Sequence, residues 1–297
     1  MLTSFELEKH SSQKVIFELR QITIVTGISI KNTKRFINSL LLYSDFKPIR
    51  KKVKTSLNQS KFIVHDIPKF KLKIGDEYYY SDNLVKLKNY SKYLPIYHID
   101  TKRLKTSYSK YDNFKITYEE KDLEKVEEIE KVIQTITNNP HFKLLRDSTL
   151  LYVIDLLNHR KPKKNSLSYL TEDVNYLLPI VIQCLIMKPN RTLIIENPEF
   201  YLHPSVQTQL SNFFCEIANK DVQLIIKTQS DHIINGMRVN ARNKIIKPSD
   251  IQVLFFDHVY FDFPDSITSM QINEGGRIDN WIEGFMDEWD HNLMELL

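Results

Sequence analysis

Glycine is scarce in this chain: six in 297 residues, about 2% where ~7% is usual. Few segments therefore have the backbone freedom to fold tightly around an anion. The two cysteines, Cys184 and Cys215, fall in expected helices and show neither disulfide nor metal-like spacing, which excludes a cross-linked framework and a thiolate metal site. The longest apolar stretch, Val174 to Met187, contains Asn175, Pro179 and Gln183. It is too short for a membrane span and reads as a buried helix. The amino terminus, Met1 to Glu6, lacks the basic region and long apolar run of a secretory signal. No internal repeat, heptad array or disordered tail is visible. A soluble cytoplasmic protein without membrane contact is expected.

What is present is ample material for a core, with 42% hydrophobic and 11% aromatic residues. The length suits one large domain or two lobes. A net charge of +4 hides an asymmetry, because Lys47 to Ile116 holds 17 Lys/Arg against 6 Asp/Glu. This basic stretch interleaves lysines with Tyr78, Tyr79, Tyr80, Tyr90, Tyr93, Tyr97, Tyr108 and Tyr111. Two readings stay open: a solvated β surface with cross-strand aromatic pairs, or a platform for DNA or RNA.

The order of elements points to an α/β fold. Ser4 to Arg20 reads as an antiparallel strand pair, and Gln21 to Thr26 as a buried strand ending at Gly27. A helix is expected from about Thr33 to Tyr43, on Phe36, Ile37, Leu40 and Leu41. Strand-like text follows, including Lys61–Val64, Phe70–Ile74 and Tyr78–Tyr80, with a turn at Gly75-Asp76. Helices are expected over 119–139 and Phe142–Leu157, then a basic loop at Arg160–Ser166. Helix Thr171–Met187, strand Thr192–Ile195, helix Pro204–Ala218, strand Val222–Thr228 and helix Asp231–Val239 alternate as in a parallel sheet with right-handed crossovers. Strands near Ile251–Asp257 and Ile267–Ile272 come next, and a closing helix from about Asp279 carries Trp281, Phe285 and Trp289 on one face.

Two segments carry the chemistry. Leu193-Ile194-Ile195 ends in Glu196-Asn197-Pro198-Glu199, and Leu224-Ile225-Ile226 ends in Lys227-Thr228-Gln229-Ser230-Asp231-His232. A buried parallel strand that delivers side chains to a site at its carboxyl end looks like this. Glu196 and Glu199 stand where phosphoryl-transfer ATPases keep a magnesium-holding acid and a water-orienting acid. His203 and His232 have no partner at metal-ligand spacing, and Asp231 suits a helix cap.

These motifs, with Leu202-His203-Pro204, Asn235-Gly236-Met237-Arg238 and Gly276…Trp281-Ile282-Glu283-Gly284-Phe285-Met286-Asp287, resemble the ABC-type ATPases of the RecF/SMC/OLD-like group. The resemblance covers about residue 170 to the end well, and 15–45 more loosely. It implies an ABC-type ATPase head with a mixed sheet, an antiparallel β lobe and a short helical insert. The expected organisation is 1–45 for the amino-terminal strands and phosphate loop, 46–118 for the basic β lobe, 119–165 for the insert and 166–297 for the parallel core.

The sequence departs from the family pattern at several places. A phosphate loop needs G-x-x-x-x-G-K-[ST]. Here Gly27 opens the segment, but Asn32, Thr33 and Lys34 stand for the second glycine, the lysine and the hydroxyl. Asn32 tolerates the left-handed conformation, and a slip could bring Lys34 to a phosphate. The signature region reads Thr171 to Pro179, with Asp173 set to repel a nucleotide. Gln229 occupies the switch-histidine position, and Lys227 replaces an acid beside Glu196. Glu196 is then expected to pair with Lys34 or Lys227, and Glu199 to cap or salt-bridge the following helix.

The expectation is a degenerate ATPase-like protein with weak or no hydrolysis. It would act as a scaffold or regulatory subunit with a protein partner or as a homodimer, in bacterial genome maintenance or anti-phage defence as the resemblance implies. No cofactor is expected unless activity is retained, in which case ATP and a magnesium ion on Glu196 are. Two alternatives stand beside it: a divergent active ATPase using Lys31 or Lys34, and a nucleic-acid-binding module using the basic lobe.

Overall fold

The computed structural model describes residues 2–8, 14–42, 70–74, 77–80, 96–100, 125–147, 150–155, 172–257 and 267–297. The strand expected at Lys61–Val64, the turn at Gly75-Asp76, the loop Arg160–Ser166 and most of the basic stretch lie outside these residues.

Four short apolar runs build the centre. β3 (Ile22–Gly27), β9 (Thr192–Glu196), β10 (Gln223–Lys227) and β11 (Ile251–Phe256) are buried along their whole length. Parallel strands covered on both faces have this unbroken apolar character. With β6 (Ile96–Asp100), β12 (Ile267–Ile272) and β13 (Ile278–Asp279) they form a seven-stranded sheet in the order β13-β12-β11-β3-β10-β9-β6. The strands from β11 to β6 run parallel, and β12 and β13 are antiparallel. Register aligns the carboxyl ends: Asp100 lies opposite Glu196, Glu196 opposite Lys227, Lys227 opposite Val25, and Gly27 opposite Phe256.

Alternate residues of the central strands face opposite sides. Ile24, Ile195, Ile226 and Val253 join one large core with α2 (Val126–Thr137), α3 (Glu172–Ile186), α4 (Pro204–Ala218) and α5 (Asp231–Arg242). On the other side lies α1 (Ile30–Leu42), whose Phe36 ring sits 5.5 Å from that of Phe256. Free Cys184 and Cys215 are buried, and desolvation pushes both thiols up, Cys215 to about 12 with help from the nearby Glu216 charge.

At the amino-terminal end of β10, buried Gln223 ties the chain's start to its core. Its Oε1 accepts from Leu2 N at 2.8 Å and Thr192 Oγ1 at 2.7 Å, while its Nε2 donates to the carbonyls of Leu2 and Arg20. Leu2 begins β1 (Leu2–Glu8), which pairs with β2 (Lys14–Glu18) as expected, and with β4 (Phe70–Ile74). β4 in turn pairs with β5 (Glu77–Tyr80).

Three expectations are corrected. The helix over Phe142–Leu157 is instead a hairpin of β7 (Phe142–Asp147) and β8 (Leu150–Asp155). Apolar runs this short do not fix a period, and Tyr152, Val153 and Ile154 favour a strand. The closing helix does not start near Asp279: Asn280, Gly284 and Met286 have left-handed backbones, and α6 begins only at Glu288 and ends at Leu296. Finally, α1 starts at Ile30 rather than Thr33.

Candidate functional site

The early start of α1 decides the shape of the loop after β3. Only Ile28 and Ser29 separate Gly27 from the helix. Ser29, fully buried, caps it: its Oγ accepts from Asn32 N at 3.3 Å, and its carbonyl accepts from Thr33 N at 3.0 Å. Ser29 N donates to Phe256 O, and Ile30 N to Ile28 O. Asn32 is buried in helical backbone and does not use the left-handed conformation it could have adopted. The Thr33 hydroxyl donates to Ile30 O at 2.9 Å. Lys31 and Lys34 are exposed. Gly27, at φ 136°, has a purely structural reason to be glycine: a Cβ there would stand 2.1 Å from Phe256 O.

Glu196 ends β9 with 5% of its surface exposed. Its Oε2 lies 3.2 Å from Lys227 Nζ and its Oε1 2.8 Å from His98 Nε2. The three side chains come from neighbouring strands β6, β9 and β10 and share one side of the sheet. Burial pushes the Glu196 carboxyl up, but the hydrogen bond and charge of His98 and the Lys227 ammonium more than offset this, leaving it at about 2. Pairing with Lys227 was expected. His98 was not, because nothing near it in sequence marks it. It reaches Glu196 across 98 residues.

Glu199 does not meet its expected role as a cap or partner of the following helix. Its Oε2 accepts from Thr228 Oγ1 at 2.8 Å and its Oε1 from Gln229 N at 3.1 Å, so it holds the loop after β10. The α4 cap is His203, whose Nδ1 accepts from Ser205 N. Gln229 continues the chain of contacts, its Nε2 donating to Gly27 O at 2.9 Å and its Oε1 accepting from Thr26 Oγ1 at 3.4 Å. The cap of α5 is Ser230, accepting from Ile233 N at 3.1 Å, and not Asp231. Glu199, Gln229 and Gly27 are thus joined, while Glu196 is engaged separately by Lys227 and His98. Among the described residues no group of three or more His, Cys, Asp or Glu side chains is placed to hold a metal ion.

Comparison with known proteins agrees with this architecture. Residues 177–234 match the family described as AAA ATPase domain, and residues 246–296 match a family described as Protein of unknown function (DUF3696). The chain is 39% identical over 64 residues to the OLD nuclease of Thermus scotoductus, a match spanning 21% of this chain and 12% of that protein's length. Among solved structures, an Smc head bound to the C-winged helix domain of ScpA has a TM-score of 0.53 at 11% identity, covering 92% of this chain and 98% of that one. The SMC head domain from Thermotoga maritima gives 0.48 at 12% identity, over 85% and 94% of the two chains. Residues 177–234 are thus similar to an AAA ATPase domain, and the fold is that of the Smc head.

Between the two matched segments lies Arg238, which reaches into the second. Arg238 Nε donates to Gly276 O at 2.9 Å, its Nη1 to Asn235 Oδ1 at 2.7 Å, and its guanidinium lies 5.7 Å from the centre of the Trp281 ring. Trp281 packs edge-on to buried Phe285, and Phe285 to Phe255 of β11. Gly284 in turn lies beside Ile28, so the end of the chain reaches the loop after β3. Among the described residues no helix is long and apolar enough to cross a membrane.

Proposed function

We propose that this ATPase head no longer turns over nucleotide and serves as a scaffold or regulatory subunit for a protein partner or a second copy of itself. The observation that carries this reading is the closed hydrogen bonding of the segment after β3. The N–H groups of Ser29, Ile30, Asn32 and Thr33 already have partners within the protein. A phosphate loop presents such groups to the nucleotide, and two intervening residues leave no arc to do so. The other elements point the same way. Glu196, the position for a magnesium ligand, has its two oxygens on Lys227 and His98. Lys227 would set a fixed positive charge against a divalent cation. The residues present therefore do not fit magnesium and ATP.

A protein partner fits the fold, because the similar Smc head is bound to a ScpA domain. A setting in genome maintenance or anti-phage defence follows from the resemblance to the RecF/SMC/OLD-like group. The test is calorimetric titration of the purified protein with ATP and magnesium, together with an assay for released phosphate. Flat heat and no turnover are expected; magnesium-dependent hydrolysis that disappears in Glu199→Gln would overturn the reading.

A second reading, divergent but active hydrolysis, is favoured by the exposed Lys31 and Lys34 beside the loop. It requires that nucleotide affinity fall when both are replaced by alanine, and unchanged affinity rules that route out.

A further inference from the structure

The loop after β3 and the end of the chain expose two complementary surfaces close together. Ile28 and Ile30 are both exposed, Ile30 to 65%, and so are Lys31 and Lys34 of the helix that follows. α1 contains no acidic residue to balance these lysines. Ile28 Cδ1 lies 3.6 Å from where a Cβ on Gly284 would stand, and exposed Trp281 packs on the next residue, Phe285. α6 begins four residues after Gly284 and has no buried residue among those described. Trp289, Leu293 and Leu296 are exposed at helical spacing and form an apolar stripe, with Glu288 and Glu295 along one flank. Among the described residues Lys31, Lys34, Glu288 and Glu295 take part in no ion pair. A helix of 9 residues is below the ~12–15 at which an isolated helix becomes even marginal in water. Something must cover that stripe.

We propose that α6 docks on the Ile28–Ile30 patch of a second copy of this chain, whose own α6 returns the contact, forming a two-fold dimer. Charge and polarity match: an apolar stripe flanked by carboxylates meets an apolar patch flanked by ammonium groups. The α6 of the same chain is not the occupant. Phe285 is buried and Asp287 Oδ2 accepts from Gly284 N at 2.7 Å, and the turn so fixed holds α6 off its own patch and leaves both exposed. Each copy carries patch and tail on neighbouring segments, which makes its surface self-complementary, as an isologous interface requires. One face of a short helix falls well below the ~800 Å² per partner of a stable interface, and two such contacts approach it. The proposal deepens the scaffold reading and rests on it, because the loop where a nucleotide would be held serves here as a binding surface for the second copy.

The test measures mass by sedimentation velocity for the full chain without nucleotide, at low and high salt. A dimer at low salt is expected, loosening at high salt. Leu293→Lys should raise its dissociation constant about tenfold or more, since a charge replaces a buried apolar contact. Reversing the tail (Glu288→Lys with Glu295→Lys) or the patch (Lys31→Glu with Lys34→Glu) should each give monomers. Mixing those two variants should restore a dimer, since each tail then meets an opposite charge. A wild-type monomer at both salts, or a dimer that ignores these substitutions, overturns the proposal. So does a mixture that stays monomeric, which would place the contact within one chain or elsewhere. ATP calorimetry and the phosphate assay are run separately on the wild type. Flat heat from a monomer overturns the dimer alone, and turnover by a protein that passes the dimer tests overturns the scaffold reading alone.

Discussion

Replacing Glu196 by Gln tests whether this acid is a structural ion or a catalytic one. Its carboxyl is held at about 2 instead of an ordinary 4.5, which at neutral pH corresponds to about 3 kcal/mol of folded-state stability. A group this buried needs no large allowance for solvent screening. The sign follows from linkage: a lowered folded pKa contributes stability that is complete above the unfolded value and is lost as pH falls through the folded one. Glu196→Gln should therefore cost about 3 kcal/mol at neutral pH, because both His98 and the buried Lys227 ammonium lose the carboxylate they hold. The deficit should shrink in acid, between the two pKa values. Removing both charges, in Glu196→Gln with Lys227→Met, should recover the part of the loss caused by the unpaired ammonium and leave the part owed to His98. Urea unfolding at neutral pH and at about pH 3 measures each quantity. A catalytic acid kept at a cost in stability behaves oppositely, and its removal commonly stabilises. A Glu196→Gln variant as stable as wild type, with no pH-dependent difference, refutes the reasoning.

Gln223→Leu should cost about 2–4 kcal/mol, because Leu2 N and the Thr192 hydroxyl lose a buried acceptor, and urea unfolding measures it. Gly27→Ala should be among the most damaging single changes, at more than about 3 kcal/mol, since its Cβ meets the Phe256 carbonyl in a positive-φ backbone; a large fall in melting temperature or insoluble protein is expected. Ser230→Ala should lose about 1 kcal/mol of α5 capping, while Asp231→Ala should lose less, so comparing their melting temperatures checks which residue is the cap.

The central sheet was legible because its strands are uninterrupted apolar runs bounded by polar residues, and Pro204–Ala218 and Ile267–Ile272 fall where periodicity put them. Elements were misread where two periods fit equally well. Trp281, Phe285 and Trp289 have helical spacing, but the left-handed backbones at Asn280, Gly284 and Met286 break the helix between them. At the site, the pairing of Glu196 with Lys227 was legible because adjacent parallel strands of like pattern bring equivalent positions together. His98 was not, since strand order across a sheet is a non-local property. The role of Glu199 was missed for a similar reason: its partners Thr228 and Gln229 lie 29 and 30 residues on, in a loop rather than in the helix that follows it.

The strand order has a consequence for synthesis. β3 lies between β10 and β11, and Gln229 meets Gly27 across 202 residues of sequence. At ~5–20 residues per second on the ribosome, the middle strand of the sheet waits about 10–40 seconds for its neighbours to emerge. Through that interval Ile22, Ile24 and Val25, fully buried in the finished protein, have no sheet to enter. Slowing translation of the carboxyl-terminal half should therefore lower soluble yield more than slowing the amino-terminal half.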